Sequence, residues 1–178
     1  MLTLPQHNLA HKEFTECLFE KCDFSEADLS HSYFVNCQFI ACNLSNIKVD
    51  ECRLHGVSFK DCKLFGINFS ALHNFSIDFK FEACSLFSCS FSDMDIKASI
   101  FTGSIIRESD FINCNLTHAN FTHADLQGSS FRNARLQQAD FTGAHNYYID
   151  PTQNNIRKAK FSTPEVLTLL AGFQIEID

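Results

Sequence analysis

From Leu9 onward every fifth residue is large and apolar: Phe14, Phe19, Phe24, Leu29, Phe34, Phe39, Leu44, Val49, Leu54, Phe59, Leu64 and Phe69. The series breaks and resumes in a shifted register at Phe81, Leu86, Phe91, Ile96, Phe101, Ile106, Phe111, Leu116, Phe121, Leu126, Phe131, Leu136 and Phe141. Two positions before nearly every large residue sits a small one, such as Cys17, Cys22, Ala27, Ser32, Cys37 and Cys42 early, and Ala119, Ala124, Ser129, Ala134, Ala139 and Ala144 late. The remaining positions are mostly polar.

A period of five is neither the 3.6 of a helix nor the 2 of a strand. Residues two apart share a strand face, so the small and large residues of one repeat both point inward. An odd repeat would reverse that face each time on a straight strand, whereas a corner after every repeat restores it. Four corners close a square coil of 20 residues, and the coils stack at roughly 4.8 Å through parallel pairing.

The square predicts that residues 20 apart share a wall. Allowing two inserted residues between 69 and 81, one wall reads Phe19, Phe39, Phe59, Phe81, Phe101, Phe121, Phe141. The opposite wall reads Leu9, Leu29, Val49, Phe69, Phe91, Phe111, Phe131, and a third reads Phe24, Leu44, Leu64, Leu86, Ile106, Leu126. After Phe81, Phe alternates strictly with Leu or Ile. A three-sided coil would mix them on every wall.

Runs such as Ala119-Asn-Phe-Thr-His, Ala124-Asp-Leu-Gln-Gly and Ala139-Asp-Phe-Thr-Gly resemble the A(D/N)LXX signature of the pentapeptide repeat family. The resemblance covers about residues 12–145. It implies an all-β, right-handed quadrilateral parallel β-helix. We divide the chain into an N-terminal cap (1–13), the β-helix (14–145) and a C-terminal part (146–178) holding a crossing segment, a short α-helix and a terminal strand.

The helix is read from Ser162-Thr-Pro-Glu165, which supplies a capping residue, an early Pro and an acid in the first turn. Residues 173–177 alternate like a strand. An open solenoid end must be covered. Val166, Leu167, Leu169, Leu170 and Phe173 are more apolar surface than capping alone needs, so they are expected both to cap the coil and to meet a second copy. The interruption places Leu72, His73, Asn74 and Phe75 as a candidate interaction loop, with a kinked bulge as the plainer reading.

Composition narrows the function. The chain has 178 residues with 20 Phe and no Trp, as one environment reused many times would produce. Its net charge of −7 argues against direct binding of nucleic acid or an anionic membrane. The start carries neither a basic nor an apolar leader segment, and no apolar stretch approaches the roughly 20 residues of a membrane span, so a cytoplasmic protein is expected.

All nine cysteines occupy the small inward position, with no CxxC pair, and read as core filler. Serines in the same position are expected to bond backbone carbonyls. His11, His31 and Glu51 share one corner column and read as exposed residues, without a metal. No P-loop, GxGxxG, GxSxG or acid/base dyad appears, so we expect no enzyme, no cofactor and no metal.

Within the family, fluoroquinolone-resistance and related topoisomerase-protection proteins are acidic dimeric rods that mimic DNA. The resemblance therefore implies a protein partner, DNA gyrase or topoisomerase IV, and a homodimer through the C-terminal segment. The alternative is an interaction scaffold with an unrelated partner. A rod of about six coils is on the order of 30 Å long, and DNA of that length carries about 18 phosphates. The net −7 falls short of that, and Lys48, Lys60, Lys63, Arg107, Arg132 and Arg135 interrupt the acids.

Overall fold

The computed structural model describes residues 8–73, 77–173 and 175. Short parallel strands and bridges stack into a four-sided β-helix of about seven turns. Leu18–Glu20, Gln38–Ile40, Ser58–Lys60 and Lys80–Glu82 form one continuous wall, and Phe19, Phe39, Phe59 and Phe81 are direct register partners. Glu13–Thr15, Tyr33–Val35 and Arg53–His55 pair on a second wall, and Lys63–Phe65, Ser85–Phe87 and Ile105–Arg107 on a third. Pairing steps by 20 residues except across the interruption, where Ser58 faces Lys80 and Asn68 faces Ser90, and near the C-terminal end, where Phe131 faces Ile149.

The alternation of Phe with Leu or Ile has a packing cause. Along one wall the rings stack nearly parallel, as in Phe101–Phe121 with centroids 4.7 Å apart. Rings from opposite walls meet edge to face, as in Phe111–Phe121 at 5.7 Å and 90°. Both arrangements suit the ring quadrupole. The branched aliphatics of the other two walls fill the flanks, and an interior void between Phe34, Phe39, Phe59 and their neighbours measures only about 20 Å³.

Two features of the coil lie in residues that the five-residue pattern leaves polar. The second residue after each large one adopts positive φ at nearly every corner, from His11 and Glu16 to Gln138 and Lys158. At Ala98 or Glu108 this costs a side chain roughly 1–2 kcal/mol relative to glycine. Asp or Asn just before the large residue accepts the N–H two residues on: Asp23 from Ser25 at 3.0 Å, Asn120 from Thr122 at 2.9 Å, Asp140 from Thr142 at 2.9 Å. This Asx turn aims the chain into the corner and explains the acidic or amide position of the repeat.

Coil pairing reaches past 14–145 at both ends. Asn8 bridges to Asp28, Ile149 to Phe131 and Asn155 to Arg135, while Lys160–Phe161 pairs with Asp140–Phe141. The crossing segment is thus a shortened coil rather than a departure from the solenoid, which lengthens the expected six turns to about seven.

The C-terminal helix corrects the expected α-helix. Glu165–Phe173 is a 3₁₀ helix, entered through Leu167 N–H to Pro164 O at 3.0 Å. Its three-residue turn eclipses side chains three apart. Val166 and Leu169 therefore share an inward ridge, with Leu169 buried and Val166 packed on the core. Phe173 ends this helix rather than opening a strand; the rest of the expected terminal strand lies outside the described residues except Ile175, which is in no element.

Candidate interaction surfaces

Among the described residues, the interior side chains are packed or bonded to backbone. Eight of the nine cysteines are buried and all are free thiols. Burial pushes Cys52 and Cys114 up to about 12 and Cys89 to about 11, so these remain neutral thiols at physiological pH. The buried serines bond backbone as expected: Ser32 Oγ donates to Leu9 O at 2.6 Å and Ser129 Oγ to Ile106 O at 2.9 Å. No group of three or more His, Cys, Asp or Glu among the described residues has metal-holding geometry. No described helix is long and apolar enough to cross a membrane.

What can meet a partner is the outer surface. Of the interruption residues, Leu72 is buried, and so are Ile77 and Phe79 beyond the loop. Phe79 occupies a small-residue position, where Phe69 and Phe91 meet it edge to face at 5.3 and 5.7 Å. His73 lies half-buried with Nδ1 2.8 Å from Glu51 Oε2. The interruption is thus pinned to the core on both sides; Asn74 and Phe75 lie outside the described residues.

That bond extends the corner column seen in the sequence. His11 and His31 stack at 4.8 Å and 6°, and Glu51 and His73 complete a hollow of about 300 Å³ with Lys12, Glu13, Tyr33 and Arg53. The His73 hydrogen bond holds the Glu51 carboxyl below its usual range. Spacing by 20 could not reveal this pair, because it places Ala71 in the Glu51 column; His73 follows Arg53 in the neighbouring column and reaches Glu51 from the side.

A second surface went unread in the sequence. Phe65 and Phe87 lie side by side, 40% and 37% exposed with rings 5.8 Å apart, and Ile105 on the same wall is 46% exposed. Its signal is two adjacent apolar residues, Leu64-Phe65, Leu86-Phe87 and Ile105-Ile106, where the repeat calls for one.

On the C-terminal 3₁₀ helix the expected residues divide. Val166 and Leu169 face the coil end; Leu167 and Phe173 are each 51% exposed, and Leu170 on the same ridge is half-buried. Charge divides the rod as well. Glu13, Glu16, Glu20 and Glu26 are exposed on the first coil, but Asp23 and Asp28 spend their carboxylates on Asx turns. The backbone and side-chain bonds from Ser25 and Ser30 hold both below the usual carboxylate range.

The sequence profile of the pentapeptide repeat region matches residues 12–83 and 77–162. The chain belongs to the pentapeptide repeat family. Its fold is similar to two trypsin-treated variants of QnrB1, a plasmid-mediated fluoroquinolone resistance protein. One has a TM-score of 0.57 at 19% identity, the other 0.53 at 18%, and each likeness covers 99% of this chain and 98% of the other. No curated protein matches significantly. At these identities the likeness extends to the pentapeptide-repeat coil over the whole chain.

Proposed function

We propose that this pentapeptide-repeat chain is a non-enzymatic, cytoplasmic protein-binding solenoid, and that its target is DNA gyrase or topoisomerase IV. The observation that carries the binding role is the filled interior: thiols and hydroxyls that elsewhere do chemistry are turned inward and bonded to backbone, leaving only the walls to act. The finer choice of target is supported by the full-length likeness to a fluoroquinolone resistance protein and by the acidic balance. The interruption and the Glu-rich first coil are the surfaces offered to the enzyme.

The chain acts as a homodimer in this reading. The ridge of Leu167, Leu170 and Phe173 points away from the coil, and two such ridges facing each other hide it from water. Light scattering should give about twice the 20.2 kDa chain mass, and Leu167→Asp should return it to the monomer. A monomer at tens of micromolar removes the dimer.

Gyrase supercoiling with ciprofloxacin, with and without the protein, tests the target. Restored supercoiling, or inhibition of the drug-free enzyme, supports it. No effect at micromolar excess leaves the second reading, a scaffold for a partner unrelated to topoisomerases. That reading is favoured by the lysines and arginines that break the acidic field along the rod.

A further inference from the structure

The last two turns of the solenoid reverse the charge of the chain. Between residues 127 and 161 stand five cations, Arg132, Arg135, Arg157, Lys158 and Lys160, against two acids, Asp140 and Asp150. Lys160 is held by Asp140 at 3.1 Å. Asp150 is occupied by Thr152 and Gln153, whose groups donate to its two oxygens at 2.7–2.8 Å. Arg132, Arg135, Arg157 and Lys158 are all exposed, and no carboxylate among the described residues forms an ion pair with any of them.

Three of the four lie on one wall and its corner. Arg135 pairs with Asn155 in the next coil, and Gln138 N–H bonds Arg157 O at 3.0 Å, which stacks the two rows in register. Between them Gln137, Gln138, Asn155, Arg157 and Lys158 line a hollow of about 370 Å³ that contains no acid. Asn155 Oδ1 accepts the Arg157 N–H at 3.3 Å, while Gln137 and Gln138 bring side-chain amides to the hollow. Lys158 sits at the positive-φ corner, where its side chain leaves the rod. The hollow thus presents guanidinium, ammonium and amide donors, a chemistry matched to carboxylates.

We propose that this basic C-terminal wall is a docking surface for a short acidic segment of a protein partner. Length decides between a peptide and a nucleic acid. The rest of the rod carries the chain's whole acidic excess, and a long polyanion running along it would be repelled. A segment confined to the last two turns lies roughly 25 Å from the first coil, beyond the Debye length of about 8–10 Å at physiological salt. This surface is distinct from the acidic coil and interruption invoked for a topoisomerase, and its failure leaves that reading untouched.

Fluorescence polarisation with a labelled ten-residue peptide of alternating Asp and Glu tests it on the full chain. Saturable binding is expected, at least tenfold weaker in the Arg135→Ser/Arg157→Ser/Lys158→Ser variant and changed less than twofold in Lys12→Ser/Lys48→Ser. To separate binding from any disturbance of the last coil, Arg157→Gln alone, with an unchanged circular dichroism spectrum, should weaken binding at least threefold. An Asn/Gln peptide of equal length should not bind. No saturable binding, equal loss in the two multiple variants, or a ten-nucleotide single-stranded DNA bound as tightly as the acidic peptide each overturns the proposal.

Discussion

The two halves of the solenoid turn their corners differently, and the small inward residue accounts for much of the difference. Up to Cys89, three-residue strands run into open corners at Cys17, Cys22, Cys37, Cys42, Cys62, Cys84 and Cys89. At each of these the Sγ donates to the carbonyl two residues back, as in Cys42 to Ile40 O at 3.4 Å and Cys62 to Lys60 O at 3.3 Å. Beyond Met94 the residue is mostly Ala or Ser, and the corner closes through its own N–H to the preceding large residue, as in Ala124 N–H to Phe121 O at 3.1 Å.

Ser109 shows that the donor matters more than the residue type. It follows the strand Ile105–Arg107, and its Oγ donates to Arg107 O at 3.0 Å, as a cysteine would. Ser104 and Ser129 instead reach the coil before, and their corners are closed. An inward donor that holds the carbonyl two residues back accompanies an open corner but is not required for one: Val57 and Ile67 follow the strands Arg53–His55 and Lys63–Phe65 with apolar side chains and no closing N–H bond. Cys52 makes no bond to the carbonyl two residues back, and its corner is closed through its N–H to Val49 O.

The largest expected effect separates core depth from corner type. Phe111→Ala removes a fully buried ring that stacks on Phe91 and Phe131 and should cost about 3–5 kcal/mol by guanidinium unfolding. Phe19→Ala, on a half-buried ring of the first coil, should cost clearly less. Equal losses would mean the halves do not differ in packing. Exchange at the corners comes next. Ala124→Cys puts a larger side chain into a fully buried, closely packed position, at about 1–3 kcal/mol. Cys62→Ala loses a buried Sγ and its carbonyl bond, about 1–2 kcal/mol. If both changes are silent, the inward residue does not set the corner.

Two smaller changes should stabilise. The Tyr147 hydroxyl is buried without a hydrogen-bond partner among the described residues, and burial pushes its pKa up to about 12. Tyr147→Phe should gain about 1 kcal/mol in thermal or chemical unfolding. Ala98→Gly relieves a positive φ of 55° in the closed-corner half and should gain roughly 0.5–1 kcal/mol. The smallest effect is with pH. Asp23, Asp28 and Asp150 have folded pKa values below the usual 3.8 because turn N–H and hydroxyl groups bond their carboxylates. Their contribution is therefore complete above that pH and is lost as pH falls below about 4. Asp28→Asn should flatten that acid limb without changing stability at pH 7.

Much of this was legible from period alone. Phe19 to Phe141, the two-residue shift and the square section all follow from counting, because a coil repeats one environment in register. The corners were not legible. Positive φ at Glu16 or His118 leaves no mark on residue type when Glu, His, Asn and Ala all tolerate it. The 3₁₀ form of Glu165–Phe173 was hidden as well, since its apolar residues suit a 3.0 or a 3.6 period. On the surface, the Glu51–His73 pair escaped because its partners belong to neighbouring columns, and Phe65 and Phe87 went unread although doubled apolar positions mark them.

The account rests on the inward residue being structural in both halves, and native thiol titration tests that most directly. With excess Ellman's reagent at pH 8, we expect only Cys17, which is half-exposed at the first coil, to react within minutes, and all nine thiols to react in guanidinium. Several thiols reacting at once in the native protein would contradict the inward assignment and the closed core that leaves function to the outer walls.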